Sequence, residues 1–279
     1  MNLRKIYYTL TPNMRFVARR LYYLPIDLLE TIMGKRSKYE PPKGDIYIGS
    51  GDFMQQGAHQ LELLKKYIAL DKDDCVLDVG SGIGRTAIPL TKFMSNEGSY
   101  EGFDVVERGV KWCNEKIKRD FPNFNFLYVP LNNDLYNIST VNASKFRFPY
   151  QNNRFNKVFL FSVFTHMAVD EIENYLKEIE RVLKPDGLCM ATFFIYNPTI
   201  EQEISEKKNF AFPIKRDGYR LMNEDVKSAN LAMEEAMLDK MISLANLEKV
   251  KSIDGFWKDY ISKSDDIDFQ DIIVLKVKS

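Results

Sequence analysis

Four residues in alternation, Asp78-x-Gly80-x-Gly82-x-Gly84, carry the clearest chemical signal in this 279-residue sequence. The apolar run Val76-Leu77-Asp78-Val79 reads as a buried strand, and the glycines after it read as a tight turn. Backbone without Cβ can curl closely around a ligand. Ile83, Ala87, Leu90, Phe93 and Met94 then predict a helix whose N-terminus points at the same place. A second predicted strand, Ser99 to Asp104, ends in an acid 20 residues beyond Gly84. There a carboxylate can grip the paired hydroxyls of a cofactor ribose. Strand, glycine turn, helix and strand-end acid together predict a cofactor cradle. Its glycine spacing is one residue tighter than the G-x-G-x-x-G dinucleotide fingerprint.

A D-x-G-x-G-x-G turn followed by a strand ending in Asp resembles the class I S-adenosylmethionine-dependent methyltransferases. Ser144 to Met167 (SKFRFPYQNNRFNKVFLFSVFTHM) resembles that family's loop and fourth strand, and Arg181 to Phe194 (RVLKPDGLCMATFF) its "LKPGG" turn and fifth strand. The likeness covers roughly residues 45 to 195 and the last thirty. Asn156 departs from it, standing where the family usually has an aspartate in a structural position.

The resemblance implies an α/β, Rossmann-like, doubly wound and mostly parallel seven-stranded sheet, its last strand antiparallel, with an N-terminal helical arm and a lid insertion. It also implies S-adenosylmethionine as cofactor, with Asp78, Gly80, Ser81, Gly82 and Gly84 at the amino-acid end and Asp104 and Val105 at the ribose. Asp78 would orient the turn or meet the donor's amino group. The adenine falls to the segment after the third strand, with Asn142, Ala143 and Ser144 as candidates. Ser162, Val163 and Phe164 end the fourth strand, on the side of the reacting methyl group.

Methyl transfer from a sulfonium is an in-line displacement, so an enzyme must chiefly align donor and acceptor and exclude water. His166, a few residues past the fourth strand, has the near-neutral pKa that suits removing a hydroxyl proton. The same histidine could instead fix the strand-to-helix loop. Phe53 reads as core or as a donor contact, Asp52 precedes it, and His59 reads as a surface or helix-start residue. Arg216, Tyr219 and Arg220 are candidates for recognising a polar acceptor.

The elements that must position these residues alternate strand and helix. Strands are predicted near 75–79, 99–104, 125–129, 158–163 and 188–194, and helices near 84–94, 107–119 and 169–183, which implies a parallel sheet covered on both faces. Four segments follow: a basic, aromatic arm (1–45), a donor-binding core (46–195), a lid and helix (196–245) and closing strands (246–279). In the arm, Thr11-Pro12 starts one helix and a second short one runs from Pro25 to Met33, stopping at Gly34. Further helices are expected over Gln60–Tyr67, Glu201–Lys208 and Leu231–Ala245.

Composition bounds the partners. Thirty-nine basic and 39 acidic residues cancel, so no global field draws in nucleic acid. Cys75, Cys113 and Cys189 lack C-x-x-C spacing and only two histidines exist, so no metal is expected. Reduced thiols and no apolar run near 20 residues fit a cytoplasmic protein. The arm could cover the acceptor pocket, form a homodimer contact or lie on an anionic membrane surface, but its apolar stripe reads as short, which favours packing on the parent domain. The RFPY…FLFSVFTHM run resembles bacterial methyltransferases of glycan and secondary-metabolite clusters, implying a small-molecule or carbohydrate hydroxyl as acceptor. A nicotinamide-dependent oxidoreductase and a catalytically silent binding subunit are the rival readings.

Overall fold

The computed structural model describes residues 10–49 and 51–278. Arg4, Lys5, Tyr7 and Tyr8 of the arm, and Ser50, lie outside the described residues. From the N-terminus come helices α1 (Pro12–Ile32) and α2 (Phe53–Ile68). The chain then alternates through β1 (Cys75–Val79), α3 (Ala87–Phe93), β2 (Ser99–Asp104), α4 (Glu107–Cys113) and β3 (Phe124–Tyr128). After a long connection it resumes with β4 (Phe155–Leu160), α5 (Val169–Val182) and β5 (Leu183–Phe193). Next come β6 (Ile195–Tyr196), α6 (Glu201–Glu206), β7 (Ile214–Arg216), β8 (Tyr219–Leu221), β9 (Leu231–Glu234) and α7 (Glu235–Leu244). Strands β10 (Leu247–Ile253) and β11 (Asp271–Val277) close the chain.

Seven strands form one sheet in the order β10-β11-β5-β4-β1-β2-β3. All neighbours from β5 to β3 pair in parallel, and β11 runs antiparallel to both β5 and β10. Period-2 alternation sends adjacent residues to opposite faces. Leu77, Val79, Val158 and Leu160 pack with Ile172, Leu176 and Ile179 of α5. On the other face Val76, Tyr100 and Phe159 pack with Leu63 and Leu64 of α2 and Val110 of α4. These side chains are almost fully buried, each contributing about 1.5–3 kcal/mol of transfer free energy. Asn156 has a structural part: its Oδ1 accepts from the Cys75 amide at 2.9 Å and from Lys184 Nζ at 3.0 Å.

Several boundaries differ from expectation for physical reasons. Among the described residues the arm holds one 21-residue helix with Pro25 inside it, not two. The expected start holds, with Thr11 as N-cap and Pro12 in the first turn. β4 stops at Leu160 because the chain turns out of the sheet at Ser162. β5 begins earlier, at Leu183, and Lys184–Gly187 bulge from the ladder between the pairs Phe155–Leu183 and Lys157–Leu188. Leu231–Glu234 is a strand rather than the start of a helix. It joins β6, β8 and β7 in a four-stranded sheet of order β6-β9-β8-β7.

Asp271 fastens this small sheet to the large one. Its Oδ2 accepts from the Ile195 amide at 2.7 Å and from Trp257 Nε1 at 2.9 Å, and its Oδ1 from the Gly255 amide at 2.8 Å. Lys258 Nζ lies 3.0 Å from the same Oδ1.

Candidate functional site

A cavity of about 1090 Å3 opens over the carboxyl ends of β1, β2, β4 and β5. Open parallel sheets bind ligands at this edge, because loops leaving neighbouring strands diverge there. The volume slightly exceeds the roughly 300–1000 Å3 usual for one small ligand, leaving room for donor and acceptor together.

The glycine turn forms the cavity floor. Gly80 has φ +80°, and a Cβ there would lie 2.5 Å from Val163 Cγ2, so only glycine fits. The turn's amides point inward. Those of Gly80 and Ser81 donate to the Phe103 carbonyl at 2.9 and 3.0 Å, that of Gly84 to the Ser81 carbonyl at 3.0 Å, and that of Gly82 to Asp104 Oδ2 at 2.8 Å. A phosphate cradle needs outward-facing amides, so these four offer a diphosphate nothing. The Ser81 hydroxyl, in contrast, is buried on the cavity wall without a hydrogen-bond partner. A bound ligand would satisfy it.

Two carboxylates lie beneath. Tyr100 Oη donates to Asp78 Oδ2 at 2.6 Å, and the Val106 amide to Asp104 Oδ1 at 2.7 Å. Burial pushes the Asp78 carboxyl up to about 7, opposed by the Tyr100 bond and aided by the Asp104 charge. Burial likewise lifts Asp104 to about 6, against the pull of its backbone donors. Each oxygen retains a lone pair beyond the bonds named, so Asp104 can still accept from ribose hydroxyls.

Beyond β4, Ser162 holds φ +58°, a strained conformation for a side-chain-bearing residue. Its amide donates to Thr192 Oγ1 at 2.7 Å, and its hydroxyl lies 3.1 Å from Gln270 Oε1. The 3-10 turn Phe164–His166 follows. There His166 Nδ1 is 2.7 Å from the Ser228 carbonyl, which can only accept, so Nδ1 carries the proton and Nε2 the lone pair. Burial lowers the His166 pKa, keeping the ring neutral around pH 7. The ring meets Tyr136 edge to face at 6.0 Å.

Of the residues expected in the site, Asp78, Gly80, Ser81, Asp104, Val105, Ser162, Val163 and His166 line one cavity. Gly82, Gly84 and Ser144 do not. Gly82 orients Asp104, Gly84 lets α4 approach, since a Cβ would lie 2.7 Å from Ile117 and 3.0 Å from Cys113, and Ser144 sits in an exposed turn capped by Asn142. Its neighbour Ala143 reaches the wall instead, and Asp52 lines it while Phe53 is core. Arg216 pairs with Glu224 in a hairpin, and buried Arg220 binds the carbonyls of Phe212 and Pro213 and Glu201, so neither these nor Tyr219 reach the cavity.

Other participants escape sequence reasoning. His59, expected at the surface, lines the cavity, and with Arg85 it offsets the burial that raises the Asp268 carboxyl. Arg85 is largely buried over the Phe53 ring at 5.4 Å, donates to the Ile48 carbonyl, and leaves Nε without a partner. Burial lowers its pKa to about 10, so it stays cationic. Phe194, Phe210, Phe256 and Phe269 form an aromatic wall with ring centroids 5.1–5.9 Å apart. Among the described residues no cluster of three or more His, Cys, Asp or Glu is placed to hold a metal.

Residues 76–187 match the methyltransferase domain family. Over 145 residues the chain is 25% identical to a ubiquinone/menaquinone biosynthesis C-methyltransferase from Wigglesworthia glossinidia brevipalpis, covering 51% of this chain and 52% of that protein. Over 105 residues it is 30% identical to a 23S rRNA (uracil(1939)-C(5))-methyltransferase from Aliivibrio salmonicida, covering 36% and 23%. The chain thus spans about half, or less, of these curated relatives. Among solved structures, a Pyrococcus horikoshii protein superposes with TM-score 0.55 at 16% identity over 84% of this chain and 95% of that one. The 1,6-didemethyltoxoflavin-N1-methyltransferase of Burkholderia thailandensis, crystallised with 1,6-didemethyltoxoflavin and S-adenosylhomocysteine, superposes with TM-score 0.52 at 15% identity over 97% and 92%. The structural likenesses speak for the fold. The family match over residues 76–187, which holds the glycine turn, together with that fold supports a class I S-adenosylmethionine-dependent methyltransferase.

Proposed function

We propose that the protein moves a methyl group from S-adenosylmethionine to a hydroxyl of a small-molecule or carbohydrate acceptor. One observation carries the donor: buried Asp78 and Asp104 underlie a turn whose four amides face inward, a floor suited to a cation and closed to a diphosphate. When bound, the donor supplies the electrophilic methyl. In this proposal Asp104 holds the ribose, Asp78 and Ser81 meet the amino-acid end, and Arg85 balances its carboxylate. Ser162 and Val163 frame the methyl group. His166, neutral and protonated on Nδ1, offers Nε2 to the acceptor's proton. The aromatic wall stacks against the acceptor's ring and keeps water out.

A second reading, methylation at a ring carbon, is favoured by that same wall of four phenylalanines and needs the same base. Calorimetry with S-adenosylmethionine, S-adenosylhomocysteine and NAD tests the donor. The two sulfur ligands bind and NAD does not, and NAD binding would overturn the proposal. Labelled donor with a panel of sugars, nucleotide sugars and phenols tests the acceptor, and NMR of the product separates O-methyl from C-methyl. A panel that yields only ring-carbon products would replace the hydroxyl reading.

A further inference from the structure

Helix α1 turns its polar face to the protein and its apolar face to solvent. Arg15 is buried and donates to the Leu135 carbonyl at 3.0 Å. Asp27 accepts from the amides of Lys43 and Gly44 at 2.7 and 3.0 Å, and Glu30 pairs with Lys43 at 2.5 Å. The other stripe, Met14, Val17, Leu21, Leu24, Leu28 and Ile32, recurs every three or four residues and is exposed along its length, Leu21 at 66% and Ile32 at 81%. The stripe is therefore long, and the helix packs on its parent domain by its polar side. Ten of the sixteen exposed large hydrophobics among the described residues lie between Met14 and Met33. A contiguous apolar face of this kind marks an interaction surface.

Charge selects the occupant. Residues 10–49 carry seven basic and four acidic side chains, a local excess in a chain whose charges cancel overall. Arg20, Arg36, Lys43 and Lys38 pair with Asp45, Asp27, Glu30 and Asp120, which leaves Arg19 and Lys35 as the segment's outer cations without a carboxylate partner among the described residues, so the rim of the apolar face carries a net positive charge. Tyr22 beside it supplies the amphipathic ring favoured at a lipid–water boundary. Pro25 interrupts the regular ladder that a coiled coil with a second copy would require.

We propose that α1 is an interfacial helix that lies in the plane of an anionic lipid bilayer, its apolar face in the headgroup–acyl boundary and its basic rim on lipid phosphates. No helix among the described residues is long and apolar enough to cross a membrane, and this one lies on the surface. Its first turn, through Pro12, Arg15 and Phe16, also lines the cavity, so docking sets the cleft mouth beside the lipid.

Co-sedimentation of the full chain with phosphatidylcholine vesicles, with and without phosphatidylglycerol, tests this independently of donor or activity. The protein binds the anionic vesicles, and raised salt weakens binding several-fold, about as expected for an electrostatic rim. Leu21→Glu with Leu28→Glu lowers vesicle affinity about tenfold or more, while circular dichroism and the melting temperature stay unchanged because neither side chain is packed. Lys35→Glu lowers it on anionic vesicles alone. Failure to bind anionic vesicles overturns the proposal, as does equal binding by the leucine variant. A dimer seen by light scattering and dissociated by the leucine substitutions, with no vesicle binding, would assign the face to a second copy.

Discussion

With Asp78 and Asp104 holding the donor as proposed, its affinity depends on pH in a calculable way. Asp78 sits at about 7 and Asp104 at about 6, both raised chiefly by burial from an ordinary 3.8. S-adenosylmethionine brings a sulfonium and an ammonium, and these cations bind best over ionised carboxylates. The sign follows from the raised values. The empty site holds protons at pH 6 that the complex must release, so affinity falls as pH falls through 7 and then 6. At pH 8 both groups are already nearly ionised. At pH 6, ionising Asp78 costs about 1 kcal/mol and Asp104 less, together on the order of tenfold in Kd.

Near pH 6.5 Asp78 is mostly protonated and Asp104 mostly ionised, so binding releases roughly one proton. Titration calorimetry between pH 6 and 8, in two buffers of different ionisation enthalpy, reads both quantities. Asp78→Asn removes the larger part of the slope. A flat Kd across this range, with heats independent of buffer, would refute the reasoning. In the ligand-free protein the same shifts act oppositely on stability. Carboxyls raised in the folded state stabilise it most below about pH 4 and lose that contribution as pH rises to about 7.

His166→Ala leaves donor affinity intact and lowers kcat at saturating donor about a hundredfold or more; near-normal turnover would assign His166 to loop structure. Gly80→Ala places a methyl group at φ +80° against Val163, costing about 2–4 kcal/mol of stability. Its melting curve and donor titration measure that cost, and an unchanged melt would contradict the tight turn. Asp271→Ala strands the Ile195 and Gly255 amides, Trp257 Nε1 and the Lys258 ammonium, costing about 3–5 kcal/mol in denaturant unfolding.

Sequence reading succeeds here where the signal is local. β1 and β2 fall at their expected bounds because an apolar run ends at Gly80 in one case and at Asp104 in the other. α5 starts where expected because Glu171 returns its carboxylate to the Ala168 amide at 2.9 Å. It fails where distant pairing overrides propensity. Leu231-Ala-Met-Glu is composed of helix formers, yet pairing with β6 and β8 makes it a strand. Pro25 suggests a break, but Asp27 just beyond it binds the Lys43 and Gly44 amides and holds the next turn in register. In the site, Ser162 reaches Gln270 across 108 residues and His166 reaches Ser228 across 62. No window of sequence contains such contacts. His59's place at the cavity escapes sequence reading for the same reason, because Asp268, which it faces, belongs to the loop before β11.

The floor of the cleft also bears on the direction of turnover. Losing the methyl group turns a sulfonium into a neutral thioether, so the ligand leaves chemistry with one positive charge fewer. A site whose carboxyls are pushed up by burial gains from every cation nearby and loses that gain when the cation is discharged. The inward-turned amides add no compensating donor, since those of Gly80, Ser81, Gly82 and Gly84 already serve the protein. With the donor placed as proposed, electrostatics favours the charged substrate over its product, and a fraction of Asp78 reprotonates near neutral pH as the product departs. The burial that makes these acids costly in the empty protein is also what lets them discriminate between the two forms of the donor.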